Sequence, residues 1–459
     1  MTWQADRTAL WIARTIAGRA HAGEDVEAFV ARGTDSQILV RNQSVESITT
    51  AESGGAGVRV RVGNRIGFAH TNQLDEASLD AVVADARDNA RFTQPSDAAV
   101  FPDPDGVPAA YVDLWREEWI GTTVQHKVAL ACELERLATS SPGVSGVKSV
   151  SWGDAAGESA IVSSVGVESY SRRTSCFLSG YFIGRSSSGR TVTSTAYATG
   201  RCPADLDIPA AAHHAVVTLT DAASASRNAK LPPQRLPVLL SPPATAAFLA
   251  VIGGMLNSPE SHPGRGPASL EADGLLAAQG VTLLDDPTDP ASFGAARFDA
   301  EGLATRRNLL LDRGRAAGRL HDAASGRRAG AASTGSAMRA GYKSLPRAGA
   351  RALALLPGDL DPAAALAGLD FGFMVHDVSG LPAGTNPVTG LFSAAVSGRV
   401  IRGGELAEFI PHTTLASSLP LLLQGVQGVG NDSTTLPGVA KGNTVLVSGL
   451  SVGGQTSAR

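Results

Sequence analysis

Val58-Arg59-Val60-Arg61-Val62-Gly63-Asn64-Arg65-Ile66-Gly67-Phe68 sets the architecture. Three valines alternate with two arginines and a glycine, the period-two pattern of a half-buried strand. Gly63-Asn64 is hairpin-turn sequence, so the run from Arg65 to Thr71 returns as the antiparallel partner. Upstream, Val26, Ala28 and Val30, then Ile38 and Val40, alternate in the same way. Leu10, Trp11, Ile12, Thr15 and Ile16 instead recur at helical spacing, which predicts a helix over about residues 7–20. Downstream, Asp75 is placed to cap a helix running to about residue 90. The first unit is therefore helices beside an antiparallel sheet.

Residues 92–115 are rich in Pro, Asp and Gly and read as a linker. A helix over about 122–139 stops at Ser140-Ser141-Pro142-Gly143. Strand-like runs follow at 147–152, 159–165, 167–173, 177–185 and 191–198, separated by Gly and Ser turns, as in an antiparallel meander. A helix over about 209–226 closes that unit. Leu236-Pro237-Val238-Leu239-Leu240 reads as a short buried strand, and Pro242-Pro243 suits the first turn of a helix reaching about residue 256. Strands and Gly-rich turns dominate the remainder. The reading is an α+β protein of three units: an N-terminal α/β domain over 1–105, an antiparallel-sheet domain over 106–228, and a strand-rich C-terminal domain over 229–459.

A chain of 459 residues buries a sizeable core without needing a metal or disulfide to fold. Its formal net charge of -4 argues against direct nucleic-acid binding, which needs clustered Lys and Arg. The local cluster Arg306, Arg307, Arg313, Arg315 and Arg319 reads as the solvated face of a hairpin. Three widely spaced cysteines, Cys132, Cys176 and Cys202, form neither a disulfide framework nor a zinc ribbon. The opening residues lack the apolar core of a signal peptide, and no run approaches a membrane span. A soluble, cytoplasmic protein is expected.

Motifs for chemistry are few. Gly449-Leu450-Ser451-Val452-Gly453 matches a serine nucleophile elbow in letters only, because no helix, acid or His follows it. His213-His214 sit about 100° apart on a helix and cannot share one metal face. Asp285-Asp286-Pro287 reads as a turn after a strand rather than as metal carboxylates. Gly425, Gly428 and Gly430 lack the strand–turn–helix setting of a nucleotide site. His376-Asp377 lies on a strand where only one of the pair faces any given site, which makes His376 a candidate base. No H-E-x-x-H, H-E-x-x-x-H or C-x-x-C occurs.

An ordered set of C-terminal segments resembles the TldD/PmbA family, the modulators of DNA gyrase. Arg297-Phe298-Asp299-Ala300-Glu301-Gly302 resembles that family's FDxEG turn, and Arg315 to Leu320 the hairpin after it. Ser333-Thr334-Gly335-Ser336-Ala337 is similar to STGxA. Gly384-Thr385-Asn386-Pro387-Val388-Thr389-Gly390-Leu391-Phe392-Ser393 is similar to GxNxVTGxFS, with Gly398 to Glu405 fitting the segment that follows it. Val429-Gly430-Asn431-Asp432 and Leu450-Ser451-Val452-Gly453-Gly454-Gln455 complete the set.

The resemblance implies a dimeric peptidase in which one subunit type carries zinc on H-E-x-x-x-H and a C-terminal Cys. It places Leu249, Ala250 and Gly254 at the His, Glu and His positions, and Val439, Ala440 and Lys441 near the Cys position. A catalytic zinc needs about three protein ligands, and none of these residues supplies one. The chain therefore resembles the zinc-free, TldE/PmbA-type subunit. The expectation is no metal or other cofactor in this chain and zinc in a TldD-like paralogue. The two would form a heterodimer, with a homodimer as the alternative, acting on extended peptides. Asn386, Thr389, Ser393 and His376 are candidates for the peptide channel, although the first three also suit turn capping. Two other functions compete: a stand-alone enzyme using His376, and a gyrase-type regulatory binding protein.

Overall fold

The computed structural model describes residues 7–119, 121–186, 189–224, 231–257, 274–436 and 438–454. Helix α1 (Ala9–Ala17) is capped by the Thr8 hydroxyl, which accepts from the Trp11 amide. It leads into β1 (Glu24–Arg41), β2 (Ser44–Val62) and β3 (Arg65–Thr71). Helix α2 (Glu76–Ala90) starts at Asp75, whose side chain accepts from the Ser78 amide as the sequence predicts. Helix α3 (Val124–Thr139) then precedes β4 (Val144–Ser163), β5 (Glu168–Arg185), β6 (Thr191–Gly200) and α4 (Ile208–Ser224).

These six strands form one antiparallel sheet in the order β3-β2-β1-β4-β5-β6. The strands are longer than the alternation alone suggests. Predicted turns between short runs are instead continuous ladder, because Gly33 on β1 and Gly157 on β4 face each other. A Cβ on either would stand 3.0 Å from an opposing carbonyl oxygen, a close approach that glycine accommodates without displacing the partner strand.

On β1 the even-numbered Val26, Ala28, Val30, Ile38 and Val40 face the helices. Two cores form there, one under α1 and α2 and one under α3 and α4. Odd-numbered residues face the C-terminal half of the chain. The stretch read as a linker is a strap over that half: Phe101, Val112 and Leu114 are buried, the last two against Ala295.

The C-terminal half begins with β7 (Gln234–Leu240) and α5 (Pro242–Met255), the latter capped by Ser241 with Pro242 in its first turn. Short strands β8 (Leu283–Asp285), β9 (Asn308–Asp312) and β10 (Arg315–Ala316) follow, then α6 (Ala323–Ala329). Next come β11 (Ala337–Met338), β12 (Arg347–Ala348), β13 (Leu353–Leu355) and α7 (Pro362–Ala367). The last elements are β14 (Phe371–Ser379), β15 (Leu391–Arg402), β16 (Glu405–Ser418), α8 (Leu419–Gln424), β17 (Val426–Val429) and β18 (Val445–Val452).

Strands run β16-β15-β14-β7-β18-β17, and an added β16–β18 pairing closes five of them into a barrel. Closure removes the exposed edges that an open sheet would present. The barrel and α5 share the largest core, with Phe248 of α5 meeting Phe392 edge-on at 5.2 Å between ring centroids. No described helix is long and apolar enough to cross a membrane.

Candidate functional site

The odd-numbered face of the long sheet and the C-terminal half enclose two cavities that adjoin along β5. The first, of about 570 Å3, is lined by Ser171, Arg173 and Ser175 of β5, small residues of β1 and β4, and the segments 296–300 and 341–342. The second, of about 590 Å3, is lined by Phe177 and Ser179 of β5, Tyr197 and Thr199 of β6, and Ala246, Ala247 and Ala250 of α5. Both volumes suit a small or extended ligand. The Gly, Ala and Ser content of the strand centres is what leaves the space.

One end of this chamber is held by a buried ionic cluster. Glu27 and Arg59 are direct cross-strand partners on β1 and β2. The Arg59 guanidinium donates to Glu27, through Nε at 2.9 Å, and through Nη2 to Glu301 at 3.0 Å. Arg339 donates to Oε1 of Glu27, the oxygen that also accepts from Arg59 Nε. Phe101 packs under the Arg59 guanidinium at 4.9 Å. Arg59 is only 4% exposed, so this part of the hairpin's arginine face is covered, while Arg61 beside it stays part-exposed in its pair with Asp25. Burial works to raise the Glu27 carboxyl, but Arg59 and Arg339 together hold it below the usual carboxylate range. Glu301 has one guanidinium partner and several acidic neighbours, and burial pushes it up to about 7.

Glu301 belongs to the Phe298–Gly302 turn. Asp299 organises that turn by accepting from the amides of Glu301 at 2.9 Å, Leu303 at 3.1 Å and Ala337 at 3.1 Å. Gly302 takes φ +87°, the left-handed region that favours glycine. Asp285, read as part of a turn, is instead buried at the end of β8, where it accepts from the amides of Arg351 and Ala352. Asp286 makes the turn, accepting from Thr288.

The positions matched to the zinc motif do not converge. Leu249 points into the barrel core at 2% exposure, Ala250 lines the 590 Å3 cavity, and Gly254 is exposed. At 3.6 residues per turn Leu249 points about 100° away from Ala250 and about 140° away from Gly254, while Ala250 and Gly254 are only about 40° apart. Val439 and Ala440 line the same cavity as Ala250 and bring no donor. Among the described residues no group of three or more His, Cys, Asp or Glu is placed to hold a metal ion. The residues present do not fit zinc.

Asn386 and Ser393 come together at a third cavity, of about 590 Å3, at one end of the barrel, with Arg235, Ser417 and Ser451. Thr389 does not line it. Asn386 caps its own turn, accepting from Val388 at 2.9 Å and Thr389 at 3.0 Å, and Thr389 accepts from Leu391. His376 lines none of the three cavities. It sits at a bulge in β14 with its ring against Phe409 at 6.1 Å, and its carbonyl accepts from Ser241. Cys176 is inert in this setting, its thiol pushed up to about 12, chiefly by burial.

Burial holds the His376 imidazole below its ordinary 6.5; Asp221 opposes this, and Arg399 and His214 add to it. The unfolded chain therefore takes the proton first as pH falls. The stability this residue contributes is present above about 6.5 and is lost below it. His376→Asn is expected to lose less urea resistance than the parent between about pH 7.5 and about pH 5.5. Equal losses would place the acid sensitivity elsewhere.

A curved six-stranded sheet facing a closed barrel is an architecture with solved counterparts. A candidate modulator of a DNA gyrase from Thermotoga maritima superposes with a TM-score of 0.86 at 21% identity, covering 96% of this chain and 99% of that one. TldE from Thermococcus kodakarensis gives 0.85 at 18% identity, covering 97% and 99%. The family models for the PmbA/TldA metallopeptidase match in order: domain 1 over residues 26–90, the central domain over 117–230 and the C-terminal domain over 233–454. Metalloprotease PmbA of Escherichia coli O157:H7 is 24% identical over 449 residues, 94% of this chain and 93% of that one. A metalloprotease of Methanothermobacter thermautotrophicus is 29% identical over 42% of this chain and 44% of that one. The chain belongs to the PmbA/TldD metallopeptidase family.

Proposed function

We propose that this chain is the zinc-free subunit of a two-component peptidase, holding extended peptide while a TldD-like partner supplies the metal. The observation that carries this reading is the cavity wall of α5. Where the family resemblance calls for His, Glu, His and Cys, the chain has Leu249, Ala250, Gly254 and the pair Val439–Ala440. The cavity wall there is apolar and small, not a donor set. Space for a strand of peptide nevertheless persists along β5, and backbone pairing is a general means of holding such a strand.

Alone, the chain is expected to leave an unstructured peptide intact over the time in which a mixture with its zinc-bearing relative cleaves it. Mass spectrometry of the products checks this. Hydrolysis by this chain after chelator treatment would end the proposal. The structure lends the His376 reading no support, because that side chain is packed at the seam between barrel and α4 rather than facing a cavity.

A further inference from the structure

Five arginines line the 570 Å3 cavity, and they are not equivalent. Arg32 is paired with Glu158, and Arg339 with Glu27. Arg173, Arg297 and Arg351 have no carboxylate within 4.0 Å among the described residues. Among the described residues Arg173 donates only to the carbonyl of Ala295, a neutral acceptor. Arg297 leaves its buried Nε without an acceptor while its guanidinium lies 5.5 Å from the Phe298 ring. Of the carboxylates nearby, Asp299 is held by three backbone amides, and Asp285 accepts two amides through Oδ1 while its buried Oδ2 has no hydrogen-bond partner among the described residues; neither comes within 4.0 Å of these guanidinium groups. Partly buried guanidinium groups that lack a counter-charge are costly unless an anion joins them.

The strain is visible in the electrostatics. Burial, then the positive charges of Arg201 and Arg351, pull Arg173 down to about 10. Burial also lowers Arg351, with Asp299 and Asp285 opposing at longer range. The walls between these arginines are Gly, Ala and Ser of β1, β4 and β5. That admits a thin, extended ligand with a planar anionic end, and guanidinium forks match carboxylate geometry.

We propose that Arg173, Arg297 and Arg351 form a carboxylate-recognition site that sets which peptides the chamber accepts. This rests on the reading of the chain as a peptide-holding subunit. The carboxylate is either the peptide's free C-terminus or an acidic side chain, and both present the same group to the arginines.

The test is fluorescence anisotropy of the full chain with three labelled ten-residue peptides built from Gly, Ser, Ala and Val. One has a free C-terminus, one is amidated, and one is amidated with a single internal Asp. Tighter binding of the free-acid peptide than of the amidated one, by about tenfold or more, identifies the C-terminus as the ligand. Tight binding of the Asp peptide identifies a side chain. In either case Arg351→Ala and, separately, Arg297→Gln are expected to remove the preference, bringing the affinity of the carboxylate-bearing peptide down to that of the amidated one in the same variant. Two variants are used because the Arg351 backbone is part of the Asp285 clamp. Equal binding of all three peptides overturns the carboxylate site and leaves the peptide-holding reading in place. No binding of any peptide overturns both.

Discussion

Replacing Arg59 by alanine is expected to lower the stability of the chain by about 3–5 kcal/mol, the usual consequence of leaving a buried charge without its partner. The loss falls on two carboxylates at once. Glu27 would retain Arg339, but Glu301 would retain only the amide of Ala323, at 2.8 Å. Urea unfolding followed by tryptophan fluorescence reads the effect. Glu301→Gln makes an informative contrast. With its carboxyl already raised to about 7, the charged form contributes little there, so the amide is expected to be far milder. The direction of the pH effect follows. Because the folded value lies above the ordinary 4.5, the folded state keeps the proton longer. Stability from this group is complete below about 4.5 and declines as pH rises through about 7. Glu301→Gln removes that decline. A loss below about 1 kcal/mol for Arg59→Ala, the range of an exposed pair, would mean that the cluster is solvated and does not hold the chamber shut.

Gly57→Ala is the second large effect. A Cβ at Gly57 would stand 2.2 Å from the Tyr342 carbonyl oxygen and 3.3 Å from the Phe68 ring. The first contact is with backbone, so a rotamer change cannot relieve it. Overpacking of this kind costs about 1–3 kcal/mol. Tyr342 and Gly341 are also part of the 570 Å3 cavity wall, so the substitution is expected to displace that wall as well as destabilise the chain. Peptide affinity, measured at a temperature where the variant is folded, should fall with stability. Unchanged affinity in a destabilised variant would separate that wall from the binding surface.

Much of the fold was legible because alternation and caps are local signals. The hairpin through Gly63-Asn64, the Asp75 cap, and the Pro242 helix start all fall where the sequence puts them. Lengths were less legible. Gly33 and Gly157 carry the composition of a turn, yet lie in mid-ladder because they face each other across β1 and β4. The alternation at Val58–Val62 gives two faces, but nothing local says what covers the second one. What pairs with Arg59 is Glu301 of the Phe298–Gly302 turn, 242 residues later in the chain.

The site shows the same limit more sharply. The zinc-motif positions could be located by resemblance, and the side chains there decide their own chemistry. Of the channel candidates, Asn386 and Ser393 do share a cavity, while Thr389 and His376 are occupied by turn and core contacts. Arg173, Arg297 and Arg351 were missed because no spacing links them. They come from β5 and from two loops of the C-terminal half. The available hint was Arg173 alternating with Ser171, Ser175 and Ser179 on a strand whose other face carries Cys176, Leu178 and Phe182.

On the proposed reading this chain works as the metal-free half of a pair. Native mass spectrometry of the purified chain, alone and mixed with its zinc-motif relative, decides the matter. The expected result is a metal-free chain that joins the relative one to one, with zinc found only on the relative. A stable homodimer that carries its own metal ion and ignores the relative would contradict it.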